Sequence, residues 1–573
     1  MKLTSERSRV EHDRNITCPS VGPADAKVAR VQALLHGMSL ILTHHSAPFE
    51  VISSLREQLE DYLTVDDEEK FLKRAKYIVL WPMAVYLKNE VPASADQPFH
   101  FRGRFWRWAR QRINCFSRKN THLWYSFLQS KRAALPVTPD IVLSNFQKHR
   151  SQMETSDPLK GDSDEDMALL DEVLENLGPI LRTLQKRLTS ELKAFFANPG
   201  KEIHKASESA SLESSRSHGG QAGHIRELLG VHGIRESEQL FEMKEHAGPT
   251  KGPAGVNFHQ VSTTTARFGE LQDLEEILNA KVAETLQVPI YSAKVEAVLE
   301  PFKVRTISKG ESLPYYLAKR VQLVLHGAMR KMDCFRLIGR PLDVPDLADI
   351  RRFTEQYMDS NQEWLSIDYS AATDGLSALL SSEIMKKLLD GLFFENPQLY
   401  NMMLGVLAPH EVHYPEVAGV QLAPVLQKNG QLMGSVLSFP ILCLANLGLY
   451  LTVRRRINEF APMKQMLKSV LVNGDDMLYI GSKAEWDLHK ELGARIGLAM
   501  SPGKAYTHKR YANINSTSID MDLASPGSTP VEIKFLNVGL MVGRHKVQGK
   551  VGSDDEDKEH PVVSVIDKVV EGA

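Results

Sequence analysis

Residues 469–482, SVLVNGDDMLYIGS, place two adjacent aspartates between two apolar runs. Asn473-Gly474 is a strong hairpin signal, because both residue types tolerate positive φ. Asp475 and Asp476 are therefore predicted to lie at or just beyond the tip of a β-hairpin. A solvated turn is the alternative, since Asp and Gly are common turn residues.

The composition is that of a soluble globular protein with several domains. At 573 residues the chain is too long for one core, and its 42% hydrophobic and 24% charged residues are an ordinary balance. Its four cysteines have no CxxC spacing, which argues against a disulfide framework or a zinc site and fits a reducing compartment. The N-terminal residues contain no apolar run of the signal-peptide kind.

One uncharged segment, residues 429–453, is long enough to span a bilayer. Its first half contains several polar residues and a proline, so the dense apolar part begins only at position 439. The segment is therefore predicted to be a buried core helix, and no transmembrane segment is expected.

Residues 97–139 contain nine Lys or Arg and no Asp or Glu, with aromatic residues between them. Cations for phosphates and flat rings for bases suit single-stranded nucleic acid. An amphipathic helix with buried aromatics and solvated arginines is the alternative, and both can hold. The candidate RNA-binding cations are Arg102, Arg104, Arg107, Arg110, Arg118 and Lys119.

The chain divides by composition. Residues 1–150 are predicted to be mostly helical, and 151–250 to form an acidic and then Ser/Gly-rich connecting region. Within it, 205–223 is predicted to be a mobile linker. The sequence is globular again from 251 to about 545, and residues 546–573 form a short acidic tail.

A third carboxylate precedes the hairpin by about a hundred residues. Residues 364–367 are predicted to form a strand that ends at Asp368, and 377–389 a helix. Helix capping accounts for Asp374 but not for Asp368. A cluster of Asp368, Asp475 and Asp476 would be costly without cations, and hard oxygen ligands favour two Mg²⁺ or Mn²⁺ ions. Such a pair supports nucleotidyl transfer.

Polar residues near these motifs are candidates for binding a nucleotide. Lys303 and Arg305 share one face of a predicted strand and, with Lys309, could hold a triphosphate; an exposed polar strand is the alternative. Small residues at Gly434 and Ser435 would allow close approach of a ligand.

Asn446 lies on the apolar helix and needs a hydrogen-bond partner when buried. A satisfied core amide is the alternative to a nucleotide contact at this position.

In this order the motifs resemble those of viral RNA-dependent RNA polymerases, with the best match to the ourmiavirus-like group (botourmiaviruses), positive-strand RNA viruses of plants and fungi. The spacing of five motifs carries the resemblance, and RKNTHLWYSFLQSKRAALP (118–136) resembles a further block of that group. The five motifs are EPFKVRTISKG (300–310, motif F), DYSAATDG (368–375, A), MGSVLSFPILCLAN (433–446, B), NGDD (473–476, C) and KFLNVGLMVG (534–543, E).

The resemblance implies an α+β, right-hand polymerase with fingers, palm and a reduced thumb, mostly helical with an antiparallel palm sheet. The domains would be an N-terminal helical extension (1–150), the connecting region (151–250), fingers (251–350), palm (351–545) and a tail or thumb remnant (546–573). The enzyme would copy a positive-strand genome in the host cell cytoplasm, with RNA template, RNA product and ribonucleoside triphosphates as partners.

The resemblance also implies residue roles. Asp368 and Asp475 would be the main ligands of two Mg²⁺ (or Mn²⁺) ions, with Asp476 assisting. Asp374 would sense the ribose 2′-hydroxyl, helped by Ser438. Lys303, Arg305 and Lys309 would contact the triphosphate, and Gly434, Ser435 and Asn446 would line the nucleotide site. Lys504 would be the general acid, with Lys509 and Arg510 as rivals.

Two departures qualify the resemblance. In picorna-like polymerases the motif B asparagine falls at the position of Leu442, whereas here Asn446 follows one helical turn later. Only about thirty residues follow motif E, so either the thumb is reduced or the N-terminal helices take its place.

Two rival functions remain. A reverse transcriptase typically has a bulky aromatic where this chain has Thr373, which leaves room for a 2′-hydroxyl. A non-catalytic RNA-binding or nucleocapsid protein would use the basic segment but would not need Asp368 or Asp475.

Overall fold

The fold is known from a computed structural model. It describes residues 23–89, 98–159, 163–201, 204–230, 268–357, 362–525, 527–544, 549–551 and 569, and four two-residue strands between 245 and 262. The helices are α1 (Pro23–His44), α2 (Phe49–Leu63), α3 (Glu68–Tyr86), α4 (Gly103–Ile113), α5 (Arg118–Leu128), α6 (Pro139–Glu154), α7 (Asp164–Ala197), α8 (Gly220–Leu228), α9 (Phe268–Thr285), α10 (Ser312–Met329), α11 (Val344–Glu355), α12 (Ala372–Gly375), α13 (Ala378–Leu389), α14 (Pro397–Leu407), α15 (Ser438–Ile457), α16 (Met463–Lys468), α17 (Lys483–Arg495) and α18 (Val538–Met541).

The strands are β1 (Glu245–His246), β2 (Thr250–Lys251), β3 (Asn257–Phe258), β4 (Val261–Ser262), β5 (Tyr291–Glu300), β6 (Lys303–Gly310), β7 (Glu363–Ile367), β8 (His410–His413), β9 (Val425–Leu426), β10 (Val470–Asn473), β11 (Asp476–Gly481), β12 (Tyr506–His508), β13 (Tyr511–Ile514), β14 (Thr517–Asp520), β15 (Val531–Glu532) and β16 (Gly549–Val551).

The sheet that contains the hairpin has the order β10-β11-β7-β12, and every pair is antiparallel. The central parts of β10 and β11 are continuously apolar because both faces of the sheet are buried there. Val470, Val472 and Met477 pack into one core, whereas Leu471 and Leu478, one residue out of phase, pack into another. The predicted antiparallel sheet with a strand ending at Asp368 is confirmed.

Two long helices fill the larger core. The uncharged segment forms α15, which is buried almost throughout, as predicted. Helix α7 crosses it where a Cβ on Gly448 would lie 2.7 Å from the Leu177 side chain, so only glycine permits this approach. The acidic residues predicted to connect domains instead form the first turn of α7, where they interact favourably with the helix dipole. In the described parts of the chain, no helix is long and apolar enough to cross a membrane.

A second, mixed sheet has the order β16-β5-β8-β9, with β6 on the other side of β5. Its apolar face shares one core with the N-terminal helices α1 to α6, and the same core includes Leu536 and Val538 of motif E. The N-terminal region therefore packs directly on the sheet that carries motif F.

The segment predicted as a mobile linker, 205–223, is ordered and packed where it is described. Gln221 is buried, and its side-chain amide nitrogen Nε2 donates to the Ser312 carbonyl over 3.1 Å. Glu213 accepts from the Ser312 amide at 3.0 Å. Glu213 and Gln221 therefore hydrogen-bond the backbone of the first residue of α10, which composition alone does not reveal. Most of 231–267 and of the acidic tail lies outside the described residues.

Candidate active site

The hairpin turn consists of Gly474 and Asp475, because Asn473 pairs with Asp476 across the strands. The turn thus lies one residue later than the Asn-Gly signal predicts, and of these residues only Gly474 has a positive φ, of 69°. Asp475 lies at the tip and Asp476 begins β11, so the predicted placement of both aspartates is confirmed.

Helix α15 holds this turn from behind. The Gly474 amide donates to Cys443 Sγ over 3.1 Å, and the Gly474 carbonyl accepts from Asn446 Nδ2 at 3.1 Å. Cys443 and Asn446 are three residues apart and so lie on one helix face. Both backbone groups of the glycine next to Asp475 are therefore fixed.

Asp368 follows β7 directly, at the edge of the sheet where the hairpin turn lies. Its carbonyl accepts from the Ser501 amide at 2.8 Å, and the Ser370 amide donates to the Ala499 carbonyl over 2.8 Å. These bonds fix the loop before β12, and Lys504 Nζ then lies 3.3 Å from Asp368 Oδ1. Of the rival cations, Arg510 instead pairs with Asp520, with Nη2 to Oδ2 at 2.8 Å.

The three carboxylates act on one another. The pKa of Asp476 is raised to about 7, mainly by burial and in part by the charges of Asp475 and Asp368. Burial also raises the pKa of Asp475, again with a contribution from Asp368. The positive charges of Lys504 and Lys303 oppose this effect on Asp475. The site therefore concentrates negative charge that a bound cation would stabilise.

The donor set fits hard divalent ions, since carboxylate oxygens are what Mg²⁺ and Mn²⁺ prefer. Asp368 and Asp475 would hold such ions. Asp476 is partly turned away, because its Oδ2 accepts from the Asn515 amide at 3.2 Å. The oxygens of the three carboxylates do not all approach within 4.8 Å of one another.

A buried polar chain connects the motifs behind the carboxylates. The Tyr369 hydroxyl donates to Asn446 Oδ1 over 2.8 Å and lies 2.7 Å from His489 Nε2, while His489 Nδ1 lies 3.0 Å from the Tyr479 hydroxyl. Asn446 is 0% exposed and its amide is satisfied at both ends. Asn446 thus positions the turn as a satisfied core amide, and its contact with a nucleotide stays a prediction.

The loop before α15 is built around Gln431, whose amide donates to the Thr373 carbonyl over 2.7 Å. Ser438 Oγ donates to Gln431 Oε1 over 2.6 Å, and Ser435 Oγ donates to the Val406 carbonyl over 2.9 Å. Both serines are buried. Their hydroxyls thus brace the loop, which differs from the direct nucleotide contacts predicted for them.

Gly434 lies against motif F. With a φ of 145°, a Cβ on it would lie 2.0 Å from the Ser308 carbonyl oxygen, and the neighbouring Met433 carbonyl accepts from the Ser308 amide at 2.8 Å. The close approach predicted for Gly434 is therefore to the protein's own strand.

Asp374 is largely buried beside a histidine of the N-terminal region. Its Oδ1 is 4.0 Å from His149 Nε2 in α6, and His149 Nδ1 lies 2.8 Å from the Tyr414 hydroxyl. Burial raises the pKa of Asp374 to about 7, and the charge of Lys303 lowers it in part. His149 is not predictable from the sequence, because it lies far along the chain from the five motifs.

The three motif F cations differ in how exposed they are and in whether they pair with a carboxylate. Lys303 is exposed at the surface, and partial desolvation of its ammonium by neighbouring groups lowers its pKa, as do the charges of Arg305 and Lys504. Arg305 Nε is 3.3 Å from Glu300 Oε1. Lys309 Nζ is 2.7 Å from Glu296 Oε2; Glu296 is buried and Lys309 is half-buried. Lys309 thus forms an ion pair within the protein, and its contact with a triphosphate stays a prediction.

Two lysines of the N-terminal helices join this group. Burial lowers the pKa of Lys131 to about 8, with contributions from Lys504, Arg132, Lys76 and Lys303. Burial and the charges of Lys303 and Lys504 likewise lower the pKa of Lys76 in α3. In the described part of the chain, no carboxylate lies within ion-pair distance of either lysine. Lys131 belongs to the 118–136 block, the one sequence signal that could have indicated it.

The basic helix α4 resolves the alternatives for 97–139. Phe105 and Trp108 are buried, so the main aromatics belong to the core and are not free to stack on bases. The cations are solvent-exposed and have no carboxylate partner among the described residues. The exposed set is Arg102, Arg104, Arg107, Arg110, Arg118 and Lys119.

Comparison with known proteins agrees with the motif order. The chain is similar to a viral RNA-dependent RNA polymerase. It is 28% identical over 439 residues to the RNA-dependent RNA polymerase of Ourmia melon virus (isolate Melon/Iran/VE9). The match covers 73% of this chain and 46% of that relative, so the chain spans about half of the relative's length. No protein-family model matches. The similarity confirms the resemblance to ourmiavirus-like polymerases.

Proposed function

We propose that the chain is an RNA-directed RNA polymerase that copies a viral positive-strand genome in the cytoplasm of the host cell. The observation that supports this best is the meeting of Asp368, Asp475 and Lys504 at one edge of an antiparallel sheet. Similarity to a named polymerase over most of the chain supports it independently. In this proposal the antiparallel sheet is the palm and the mixed sheet with motif F belongs to the fingers.

The reaction joins a primer 3′-hydroxyl to an incoming ribonucleoside triphosphate. The hydroxyl oxygen attacks the α-phosphorus, the bond to the bridging oxygen breaks, and pyrophosphate leaves. Two divalent ions held by Asp368 and Asp475, with Asp476 assisting, would activate the hydroxyl and neutralise the leaving group. Lys504 is positioned to donate a proton to pyrophosphate from its ammonium, and base identity is read by pairing with the template.

The triphosphate would lie against the exposed Lys303 and the half-buried Arg305, and Lys131 and Lys76 would complete this basic wall. Phosphate oxygens carry negative charge that the three lysine ammonium groups and the Arg305 guanidinium can neutralise. Asp374 would accept a hydrogen bond from the ribose 2′-hydroxyl. The exposed cations of α4 and the start of α5 would bind RNA phosphates without reading sequence.

The N-terminal helices are proposed to replace the thumb. The Leu536 amide of motif E donates to Ser126 Oγ over 2.9 Å, and the Arg132 guanidinium lies 4.9 Å from the centre of the Phe535 ring. A Cβ on Gly539 would lie 2.7 Å from the Arg132 carbonyl oxygen. These contacts place the N-terminal region directly against motif E.

The test is extension of a primed RNA template by the full chain with Mg²⁺ and labelled nucleotides. Extension with ribonucleotides is expected. Equal use of deoxyribonucleotides would favour a reverse transcriptase. RNA binding without extension, in Mg²⁺ and in Mn²⁺, would favour the non-catalytic RNA-binding function and overturn the proposal.

A further inference from the structure

Three histidines meet outside the carboxylate site. His44 ends α1, His45 follows it, and His122 lies on α5. One ring nitrogen of each lies within 4.8 Å of the others, and His45 Nε2 is 3.0 Å from His122 Nδ1. Within the described residues this is the one group of at least three potential ligands that meets this distance limit.

The backbone builds this cluster. Ser46 adopts a positive φ of 56°, and the Ala47 amide donates to the Leu42 carbonyl over 2.9 Å. The chain therefore turns sharply after α1 and brings His45, which is buried, beneath His44, which is exposed. The C-terminal end of α1 carries the partial negative charge of the helix dipole, which favours a cation there.

We infer that His44, His45 and His122 form a binding site for one divalent transition-metal ion, with Zn²⁺ the best match. Imidazole suits Zn²⁺, and three protein nitrogens with a water complete a tetrahedral site. Zn–N bonds of ~2.0–2.1 Å require ligand nitrogens roughly 3.3 Å apart. The 3.0 Å between His45 Nε2 and His122 Nδ1 is close to this spacing, and the exposure of His44 provides an entry path.

Two cations lie near this cluster. Lys119 and Arg112 would repel a dication, an effect that the partial negative charge at the end of α1 offsets in part.

The site would fix α1 to α5. The 3-10 helix Gln129–Ala133, which carries Lys131, lies between these helices and motif E. A Cβ on Gly37 of α1 would lie 2.6 Å from the Ala133 Cβ, so this packing is tight. Metal binding would therefore stabilise the scaffold that holds Lys131 in the basic wall. The metal site itself does not depend on the proposed polymerase function.

The experiment uses the full chain purified without a histidine tag. Zinc is measured by mass spectrometry after gel filtration, and Co²⁺ is titrated while visible d–d absorption is recorded. About one ion per chain is expected. His44→Ala, at an exposed position that should not disturb folding, and His122→Asn should each lower Co²⁺ affinity at least about tenfold, whereas His36→Ala, at an exposed position of the same helix, should not.

Two outcomes would overturn the inference. One is a wild-type chain that binds neither ion. The other is binding that survives His44→Ala and His122→Asn but disappears in Asp475→Ala, since it would then belong to the carboxylates. Thermal unfolding gives a second readout: a chelator should lower the melting temperature of the wild type but not that of His44→Ala.

Discussion

Replacing Asn446 with leucine should weaken both the fold and the catalytic turn. Leucine is similar in size but leaves the Gly474 carbonyl without its donor. The Tyr369 hydroxyl loses one partner and keeps His489. An orphaned buried carbonyl costs about 1–3 kcal/mol and a lost neutral hydrogen bond about 0.5–1.5 kcal/mol, which together give roughly 2–4 kcal/mol.

The assay combines thermal unfolding with primer extension. A loss of this size should lower the melting temperature on the order of 5–10 °C for a cooperative unit of ordinary domain size. Because the turn next to Asp475 loses its anchor, kcat should fall on the order of 10²-fold, the effect of roughly 1 Å of misplacement. The KM for nucleotides should change little.

The control is the same substitution at Asn401, which is exposed on α14. An Asn446→Leu variant with wild-type melting temperature and kcat would refute the bracing role. A selective rise in KM with lost preference for ribonucleotides would instead restore the nucleotide contact predicted from the motif.

Three further predictions concern charge. Lys131→Ala should raise the KM for nucleotides about two- to tenfold with little change in kcat, as expected for about 1 kcal/mol of partly screened attraction. Burial raises the pKa of Asp374 from 3.8 to about 7, so the folded state retains a proton that the unfolded chain has lost between these values, and stability falls as pH rises through that window. Asp374→Asn should therefore stabilise the chain by roughly 2–4 kcal/mol at pH 8 and hardly at all near pH 4, seen in melting temperatures. Changing Arg104, Arg107 and Arg110 to Glu should weaken RNA binding. The slope of log affinity against log salt concentration should become less steep by the equivalent of about three phosphate contacts.

Each of these has a matched control and a contrary outcome. Lys73→Ala, an exposed lysine of α3 paired with Glu69, should leave KM unchanged; an unchanged KM in Lys131→Ala would remove it from the nucleotide site. Asp390→Asn should show no pH-dependent stabilisation. If Asp374→Asn also shows none, burial does not destabilise the charged form of Asp374. Changing three exposed cations of α7 to Glu should leave RNA binding unchanged. An equal loss of RNA binding in that variant would mean that net charge, and not the position of α4, determines the binding. The three α7 cations are Arg182, Lys186 and Arg187.

The features predictable from sequence were local ones. The strand ending at Asp368, the hairpin and the helix after Ser377 follow from periodicity and turn residues within a dozen positions. The turn was predicted one residue early, because the Asn-Gly pattern contains no information about the hydrogen bonds from α15 to Gly474. Those bonds depend on how α15 packs against the hairpin and leave no pattern in the sequence near the turn.

Long-range partners were not predictable. Whether Lys309 faces a triphosphate or Glu296 depends on strand pairing, and whether Asn446 is buried depends on Tyr369, 77 residues away. Lys131 and His149 reach the site only because the N-terminal helices pack on motif F. Aromatics in 97–139 suggested base stacking, but a single sequence does not distinguish a stacking ring from a core ring.

Primer extension by the wild type and by Asp475→Ala tests the central claim most directly. The comparison uses a primed RNA template, ribonucleotides and Mg²⁺, with Asp487→Ala, at an exposed position of α17, as the control. The wild type and Asp487→Ala should extend the primer, and Asp475→Ala should not while still binding RNA. Equal extension by Asp475→Ala would contradict a polymerase centred on the hairpin carboxylate.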